Sequence, residues 1–238
     1  MNDSSLGRLL GVLLSTAETF RSIEARPTWV APLLLLMLLA GTVSFLVQQK
    51  LDPEEAVRAQ VAKMKVEVTD QQVDKMIRDA ESRTDGTRAV FAALGSAVQA
   101  VLYAFIAALL LGMLRLFGSE IDYVRSFSVT LHGYMPQGVA MLLNVPLLLG
   151  RESVSFDEAT QGGILVSILA ALAPEDASSM LVALLSSVDL FSIWTVVLLA
   201  LGFRIVGRVS TAVSTGIVVL LWLIYIGGKL GITALFIR

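Results

Sequence analysis

Five long apolar runs constrain the fold of this chain more than any other feature of its sequence. They cover residues 29–47, 90–114, 127–149, 189–206 and 213–236. A helix of about 20 apolar residues is long enough to cross the hydrocarbon core of a bilayer. Only 16% of the 238 residues are charged, whereas an ordinary soluble domain has about 25%. We therefore predict an all-α, polytopic membrane protein, in which one domain over residues 1–238 forms a bundle of five transmembrane helices.

The remaining composition excludes several classes of function. The chain has no cysteine and one histidine, and its net charge is −2. Without cysteine there are no disulfides, zinc–thiolate sites or iron–sulfur clusters. A net charge near zero gives no electrostatic basis for binding nucleic acid. Every carboxylate except Asp189 lies outside the predicted spans, so general acid–base catalysis has few candidate groups. The sequence predicts no catalytic residues, no metal and no cofactor.

Residues 1–28 have the pattern of an amphipathic helix that lies in the membrane surface. Arg8, Glu18 and Arg21 fall on one side of such a helix. The other side is apolar and holds Leu6, Leu9, Leu10, Leu13, Leu14, Ala17, Phe20 and Ile23. The alternative is a soluble helix that packs on loops of a partner.

Prolines and an aromatic residue mark where the chain enters the first span. Pro27 and Pro32 flank Trp29. Proline breaks a helix, and tryptophan prefers the depth of the lipid headgroups. We expect the chain to turn at this point and enter the bilayer.

Residues 50–88 are the most charged part of the chain, with eight basic and nine acidic residues. Asp52 and Pro53 are typical of a helix start, because aspartate caps and proline fits the first turn. Thr69 and Gln72 have the spacing of a capping box, which predicts a second helix. We predict an extramembrane helical hairpin whose charges form a solvated face or, alternatively, bind a partner.

Small residues recur at every fourth position of the second span. Such a spacing lets another helix approach closely in lipid. We predict a helix-packing seam inside the bundle, with a homodimer seam as the alternative. Its residues are Ala92, Ser96, Ala100, Ala104, Ala108 and Gly112.

The third span contains polar residues and a proline, namely His132, Tyr134, Pro136 and Asn144. Proline lacks the N–H that would bond the carbonyl four residues earlier, so a kink is expected near Gly133. A histidine at such a kink hydrogen-bonds a neighbouring helix in the structural interpretation. In the alternative interpretation, the broken helix forms an ion, substrate or proton site of a transporter.

Residues 151–188 form a second, amphiphilic connection. Residues 162–173 are apolar but too few to cross a bilayer, so residues 161–188 lie in the interface, form a re-entrant pair or cover the bundle. Acidic residues at 175 and 176 favour the interface. Asp189 then has the position of an N-cap for the fourth span, which contains Trp194, and Lys229 can extend from the fifth span to the interface.

Three segments together resemble bacterial members of the Yip family, the Ypt/Rab-interacting membrane proteins. They are residues 18–23 with Pro27, Thr28, Trp29 and Pro32; Tyr134 with Pro136; and residues 189–194 with Gly202. The resemblance implies a five-helix membrane bundle without catalytic residues, in a family associated with membrane organisation, trafficking and protein partnering.

Two departures from the family pattern limit what the resemblance implies. Thr16 stands where bacterial relatives often have proline. The long N-terminal region and the acidic-aromatic-glycine-proline signature of eukaryotic relatives are absent from the sequence. Binding of Rab-type GTPases is therefore not expected.

Three functions compete at this level. The first is a non-enzymatic scaffold or adaptor that acts through the lipid bilayer and a membrane-protein partner or a second copy of the chain. The second is a small transporter or permease-like subunit that uses the broken third helix. An intramembrane enzyme fits poorly, because no spacing brings a base to a nucleophile.

Loop charge bears on the orientation of the chain. Arg204 and Arg208 make the loop between the last two spans basic without an acid. Short basic loops favour the cytoplasmic side. With the resemblance, this predicts a cytoplasmic N-terminus in a bacterial inner membrane, with residues 50–88 on the outside.

Overall fold

The computed structural model describes residues 4–63, 68–160, 174, 177 and 179–236. All regular elements in these residues are α-helices, and their sole sheet-like feature is an isolated bridge between Leu51 and Val154. The all-α class is confirmed. In chain order the helices are α1 (Ser5–Leu14), α2 (Thr16–Ala25), α3 (Val30–Lys50), α4 (Pro53–Lys63), α5 (Asp70–Glu81), α6 (Asp85–Leu116), α7 (Tyr123–Gly133), α8 (Met135–Leu149), α9 (Phe156–Thr160), α10 (Ser179–Leu185), α11 (Leu190–Val206) and α12 (Thr211–Phe236).

Three of the described helices are long and apolar enough to cross a membrane. They are α3, α6 and the part of α12 from Thr211 to Gly231. The predicted third span is divided between α7 and α8, and α11 has 17 residues. At about 1.5 Å per residue, the 32 residues of α6 extend about 48 Å. This exceeds the roughly 30 Å of the hydrocarbon core, so α6 is longer than a single crossing requires.

The chain forms two compact units. The first contains residues 1–39, 96–140 and 190–225, and the second contains residues 40–95, 141–189 and 226–238. Apolar side chains from α1, α2, α6, α7, α11 and α12 form the core of the first unit. Its largest fully buried members are Phe20, Phe203, Ile23, Leu110, Leu114, Val12 and Val129.

The N-terminal segment of the first unit differs from its prediction. The expected single interfacial helix is two helices, α1 and α2, which meet at Ser15. Both pack on α7, and α2 also packs on α11. Leu6, Leu10 and Leu14 are exposed and available to contact lipid, as an interfacial helix requires. Arg8 is buried beside Leu9, although periodicity put it on the polar side of the helix. Periodicity within one helix does not show which distant residues can supply a buried arginine with hydrogen-bond partners.

In the second unit, α4 and α5 pack against each other, with Val57 and Ile77 buried. The Asp52 carboxylate accepts hydrogen bonds from the backbone N–H groups of Glu54 and Glu55, at 2.8 and 3.4 Å. These bonds cap α4 at the predicted position. At the start of α5, the Thr69 N–H donates to Oε1 of Gln72 at 3.0 Å, which is the reciprocal half of a capping box.

The chain after α8 is hydrogen-bonded to the end of α3 and to the first turn of α4. The Val154 N–H donates to the Lys50 carbonyl at 3.0 Å, and Lys50 Nζ donates to the Arg151 carbonyl at 2.8 Å. The Phe156 N–H donates to Glu55 Oε1 at 3.1 Å. The apolar run at 162–173 lies outside the described residues, so its predicted interfacial or re-entrant placement stays a prediction.

Candidate functional site

The candidate site is built on α7, whose start is held by a charged network. The Asp122 carboxylate caps the helix by accepting from the Arg125 N–H at 2.8 Å, and the Arg125 side chain also pairs with it. Burial opposes ionisation of Asp122, but the hydrogen bonds from Arg125 prevail and hold the pKa of this carboxyl below its usual range. Arg125 Nε also donates to the Glu24 carbonyl at 2.9 Å. The end of α2 is therefore tied to the first turn of α7.

A second contact holds the end of α2. The Glu24 carboxylate accepts from Arg208 Nε at 2.7 Å. Arg208 follows α11 and has a positive φ of 52°. Glu24 thus connects α2, α7 and the turn before α12.

The serine and threonine residues of α7 are buried, and each hydroxyl donates to a backbone carbonyl. Ser126 donates to Ala107 on α6 at 2.8 Å. Ser128 donates to Val124 at 2.7 Å, and Thr130 donates to Ser126 at 2.9 Å. Satisfied hydroxyls of this kind place polar atoms in a low-dielectric interior without the cost of an unpaired group.

His132 is fully buried and is the least satisfied polar group of α7. Its Nδ1 lies 2.8 Å from the Ser128 carbonyl, and since a carbonyl can only accept, Nδ1 carries the hydrogen. Nε2 is buried without a hydrogen-bond partner among the described residues, as is Oγ1 of Thr195 on α11. Arg8, also buried, acts electrostatically on His132.

The chain breaks between α7 and α8 at Tyr134, where the sequence predicts a kink. The Tyr134 N–H bonds back to Thr130, and the N–H groups of Gln137 and Gly138 bond to the Tyr134 carbonyl, at 3.0 and 3.3 Å. Pro136 lies in the first turn of α8, a position in which a helix needs no N–H donor. The break therefore starts a new helix and leaves proline where it is tolerated.

Two glycines let α7, α11 and α2 approach one another closely. A Cβ atom built on Gly133 would lie 2.8 Å from Cγ of Leu199 on α11. One built on Gly202 would lie 2.7 Å from Cγ1 of Val129 and 2.8 Å from the Phe20 ring. Real Cβ atoms are not found this close to other side chains, so both positions exclude any larger residue at this backbone spacing.

The predicted seam on α6 is only partly buried within the chain. Ala92 and Ser96 are buried, Ala100 and Ala104 are half-buried, and Ala108 and Gly112 are exposed. A spacing of four residues advances about 40° around an α-helix at each step, so the row winds out of the packed face. The buried positions in the later part of α6 are instead Tyr103, Ala107, Leu110 and Leu114.

The other predicted site residues lie near the starts of α3 and α11 or on α8. Trp29 is partly exposed, with its ring 5.8 Å from that of Phe127, and Pro27 is half-buried. Pro32 is buried in α3. Asp189 directly precedes α11, which holds the half-buried Trp194, and Asn144 is buried on α8 in the second unit.

Tyr134 packs in an aromatic pair that the sequence analysis did not identify. Its ring lies 4.8 Å from that of Tyr103, and the Tyr103 hydroxyl accepts from Gln99 at 2.8 Å. Sequence reasoning also missed the buried Arg8, which donates to the Arg26 carbonyl at 2.5 Å and to Thr28 Oγ1 at 3.3 Å. An arginine within an apolar stripe was the available signal for such a role.

The arrangement supplies hydrogen bonds and close packing. The described contact of His132 is to a carbonyl oxygen, which is not a nucleophile that a base could activate. In the described part of the chain, no three histidine, aspartate or glutamate side chains could together hold a metal ion.

These apolar helices and their internally bonded polar groups define a multi-pass helical membrane protein. The family model for the Yip1 domain matches residues 10–231, so the chain belongs to the Yip1 domain family. This match confirms the resemblance to the Yip family. Searches of the curated proteins and of the solved structures found no match to the chain.

Proposed function

We propose that the protein is a non-enzymatic membrane scaffold or adaptor that crosses the bilayer five times. In this proposal α3, α6, the α7–α8 pair, α11 and α12 each cross once. The N-terminus is cytoplasmic, the membrane is a bacterial inner membrane, and α4 and α5 form an extramembrane hairpin. Membership of the Yip1 domain family supports the membrane role.

The hydrogen bonds of the α7 serine and threonine hydroxyls favour a scaffold over a transporter. A transport path needs polar groups that can exchange protein partners for ions or substrate. The hydroxyls of Ser126, Ser128 and Thr130 instead bond to backbone carbonyls at 2.7–2.9 Å. Gly133 and Gly202 close the contact between α7 and α11. This interior supports a fixed platform for partner proteins.

Nε2 of His132 has no hydrogen-bond partner in the part of the chain that the structure describes, and this favours the second candidate, a proton-coupled transporter. Histidine is the side chain whose ordinary titration range is near neutral pH, and this is the one histidine of the chain. His132→Asn retains a hydrogen-bonding side chain but cannot titrate, so it separates the two functions.

The test isolates the tagged full chain from native membranes after mild solubilisation. We expect a stoichiometric membrane-protein partner, retained at the same ratio by folded His132→Asn. Arg78→Gln, a substitution at an exposed position of α5, is the control for effects of mutation and purification. The transporter would be favoured by two results together. A small molecule would co-purify with the wild type, and the folded His132→Asn variant would lose transport activity.

A further inference from the structure

The second unit contains a cleft that the proposed scaffold role does not use. It lies between the end of α3, the α4–α5 pair and the start of α6, and its volume is about 280 Å³. Part of its lining is apolar, including Leu51, Pro53, Val57 and Met76. Three charged side chains also line it, namely Asp79, Arg83 and Arg88.

Two of these charged side chains are not paired with an opposite charge among the described residues. Arg88 pairs with Asp85 at 3.0 Å, and Asp85 also accepts from Gln49 at 3.4 Å. By contrast, neither Arg83 nor Asp79 forms an ion pair with a residue that the structure describes. The cleft thus offers one available cation, one available anion and a second arginine nearby.

The position of Arg83 relates the cleft to the membrane surface. Its guanidinium carbon lies 5.2 Å from the centre of the Phe91 ring. Phe91, Val90 and Leu94 are exposed on the first turns of α6, a helix that is apolar enough to span a membrane. Exposed apolar residues on such a helix contact lipid chains, and arginine is favoured at headgroup depth. Arg83 therefore lies where a lipid chain meets its headgroup.

We propose that this cleft binds the headgroup of a glycerophospholipid that carries both a phosphate and a primary ammonium group. Arg83, with Arg88 beside it, binds the phosphate, because a guanidinium presents paired donors to phosphate oxygens. Asp79 accepts hydrogen bonds from the ammonium, which a quaternary choline group cannot donate. The acyl chains lie along the exposed face of α6. This site is independent of the adaptor role and of any protein partner.

The test measures lipid binding to the detergent-purified full chain by native mass spectrometry. The probes are short-chain phosphatidylethanolamine, phosphatidylglycerol and phosphatidylcholine. We expect phosphatidylethanolamine to bind most tightly. Arg83→Gln should weaken its binding about fivefold, the factor typical of one arginine at a membrane surface. Asp79→Asn should remove the preference for phosphatidylethanolamine over phosphatidylglycerol.

Arg78→Gln is the matched control, because it removes the same charge from an exposed position of α5 that does not line the cleft. It should bind lipid as the wild type does, and all variants should melt at the same temperature. Equal losses in Arg78→Gln and Arg83→Gln would mean diffuse charge attraction and overturn the proposal. Equal binding of phosphatidylethanolamine and phosphatidylglycerol to the wild type would also overturn it. So would displacement of the lipid by an equal concentration of glycerophosphoethanolamine, because the ligand would then be soluble.

Discussion

Single glycines decide how closely the helices of the first unit approach. Gly133→Ala places a methyl group against Leu199, and Gly202→Ala places one against Val129 and Phe20. Overpacking of a close contact costs about 1–3 kcal/mol, so we expect each variant to lower the free energy of unfolding by that amount. Thermal unfolding of the detergent-solubilised chain measures the change.

Gly216 on α12 provides the control for this prediction. Nothing lies within 4 Å of a Cβ built there, and alanine is favoured over glycine in a helix by about 0.5–1 kcal/mol. Gly216→Ala should therefore be neutral or stabilising. Equal melting temperatures for the Gly133→Ala and Gly216→Ala variants would show that the contact of α7 with α11 is not close.

The Asp122 carboxylate at the start of α7 makes the stability of the folded chain depend on pH. Its pKa is lower in the folded chain because the hydrogen bonds from Arg125 outweigh the effect of burial. The stabilisation is therefore present above the usual aspartate pKa of about 4, and it is lost as pH falls through the folded pKa.

Asp122→Asn retains the cap but removes the charge. We expect a loss below about 1 kcal/mol at pH 7, because exposed ion pairs are weak. Between pH 7 and pH 3 the variant should lose less stability than the wild type. Asp74→Asn, at an exposed position of α5, is the control for removing a carboxylate elsewhere. Identical pH profiles for the wild type and Asp122→Asn would contradict the proposed contribution of the Asp122 carboxylate to stability.

At the scale of elements, α6 has a buried face that differs from its row of small residues. Ala107 is fully buried, whereas its neighbour Ala108 is exposed. Ala107→Leu should therefore cost about 1–3 kcal/mol by overpacking. Ala108→Leu should change stability by less than about 0.5 kcal/mol, as surface substitutions usually do. The sequence alone predicts destabilisation at Ala108. Thermal unfolding measures both variants, and a larger loss of stability for Ala108→Leu than for Ala107→Leu would contradict the buried face described for α6.

Helix boundaries were the most predictable features of the fold, because capping residues and prolines close in sequence determine them. Asp52 caps α4, Gln72 bonds to the start of α5, and the chain breaks near Pro136. Each of these depends on residues within a few positions of one another. Sequence patterns hold such information directly.

Contacts between distant segments could not be predicted in the same way. The burial of Arg8 depends on Arg26 and Thr28, and the role of Gly202 depends on Phe20 and Val129. Periodicity identifies the apolar face of a helix, but it does not say whether lipid or protein covers that face. This is why the burial of Arg8 on α1 and the exposure of Ala108 and Gly112 on α6 could not be derived from the sequence.

The number of membrane crossings determines the topology of the whole chain. Three described helices are individually long enough to cross. The proposal adds a crossing by the α7–α8 pair, which runs from Tyr123 to Leu149 with one break, and a crossing by the 17 residues of α11. The crossing by the α7–α8 pair decides on which side of the membrane Ser153 lies, and the crossing by α11 then decides the side of Ser210.

Single cysteines on the naturally cysteine-free chain test this claim most directly. Ser82, Ser153 and Ser210 are exposed and lie outside the proposed spans. An impermeant maleimide applied to intact cells should label Ser82→Cys and Ser153→Cys from outside, and Ser210→Cys only after permeabilisation. With three crossings, Ser153→Cys would instead share the side of Ser210→Cys, and that labelling pattern would contradict the five-span account.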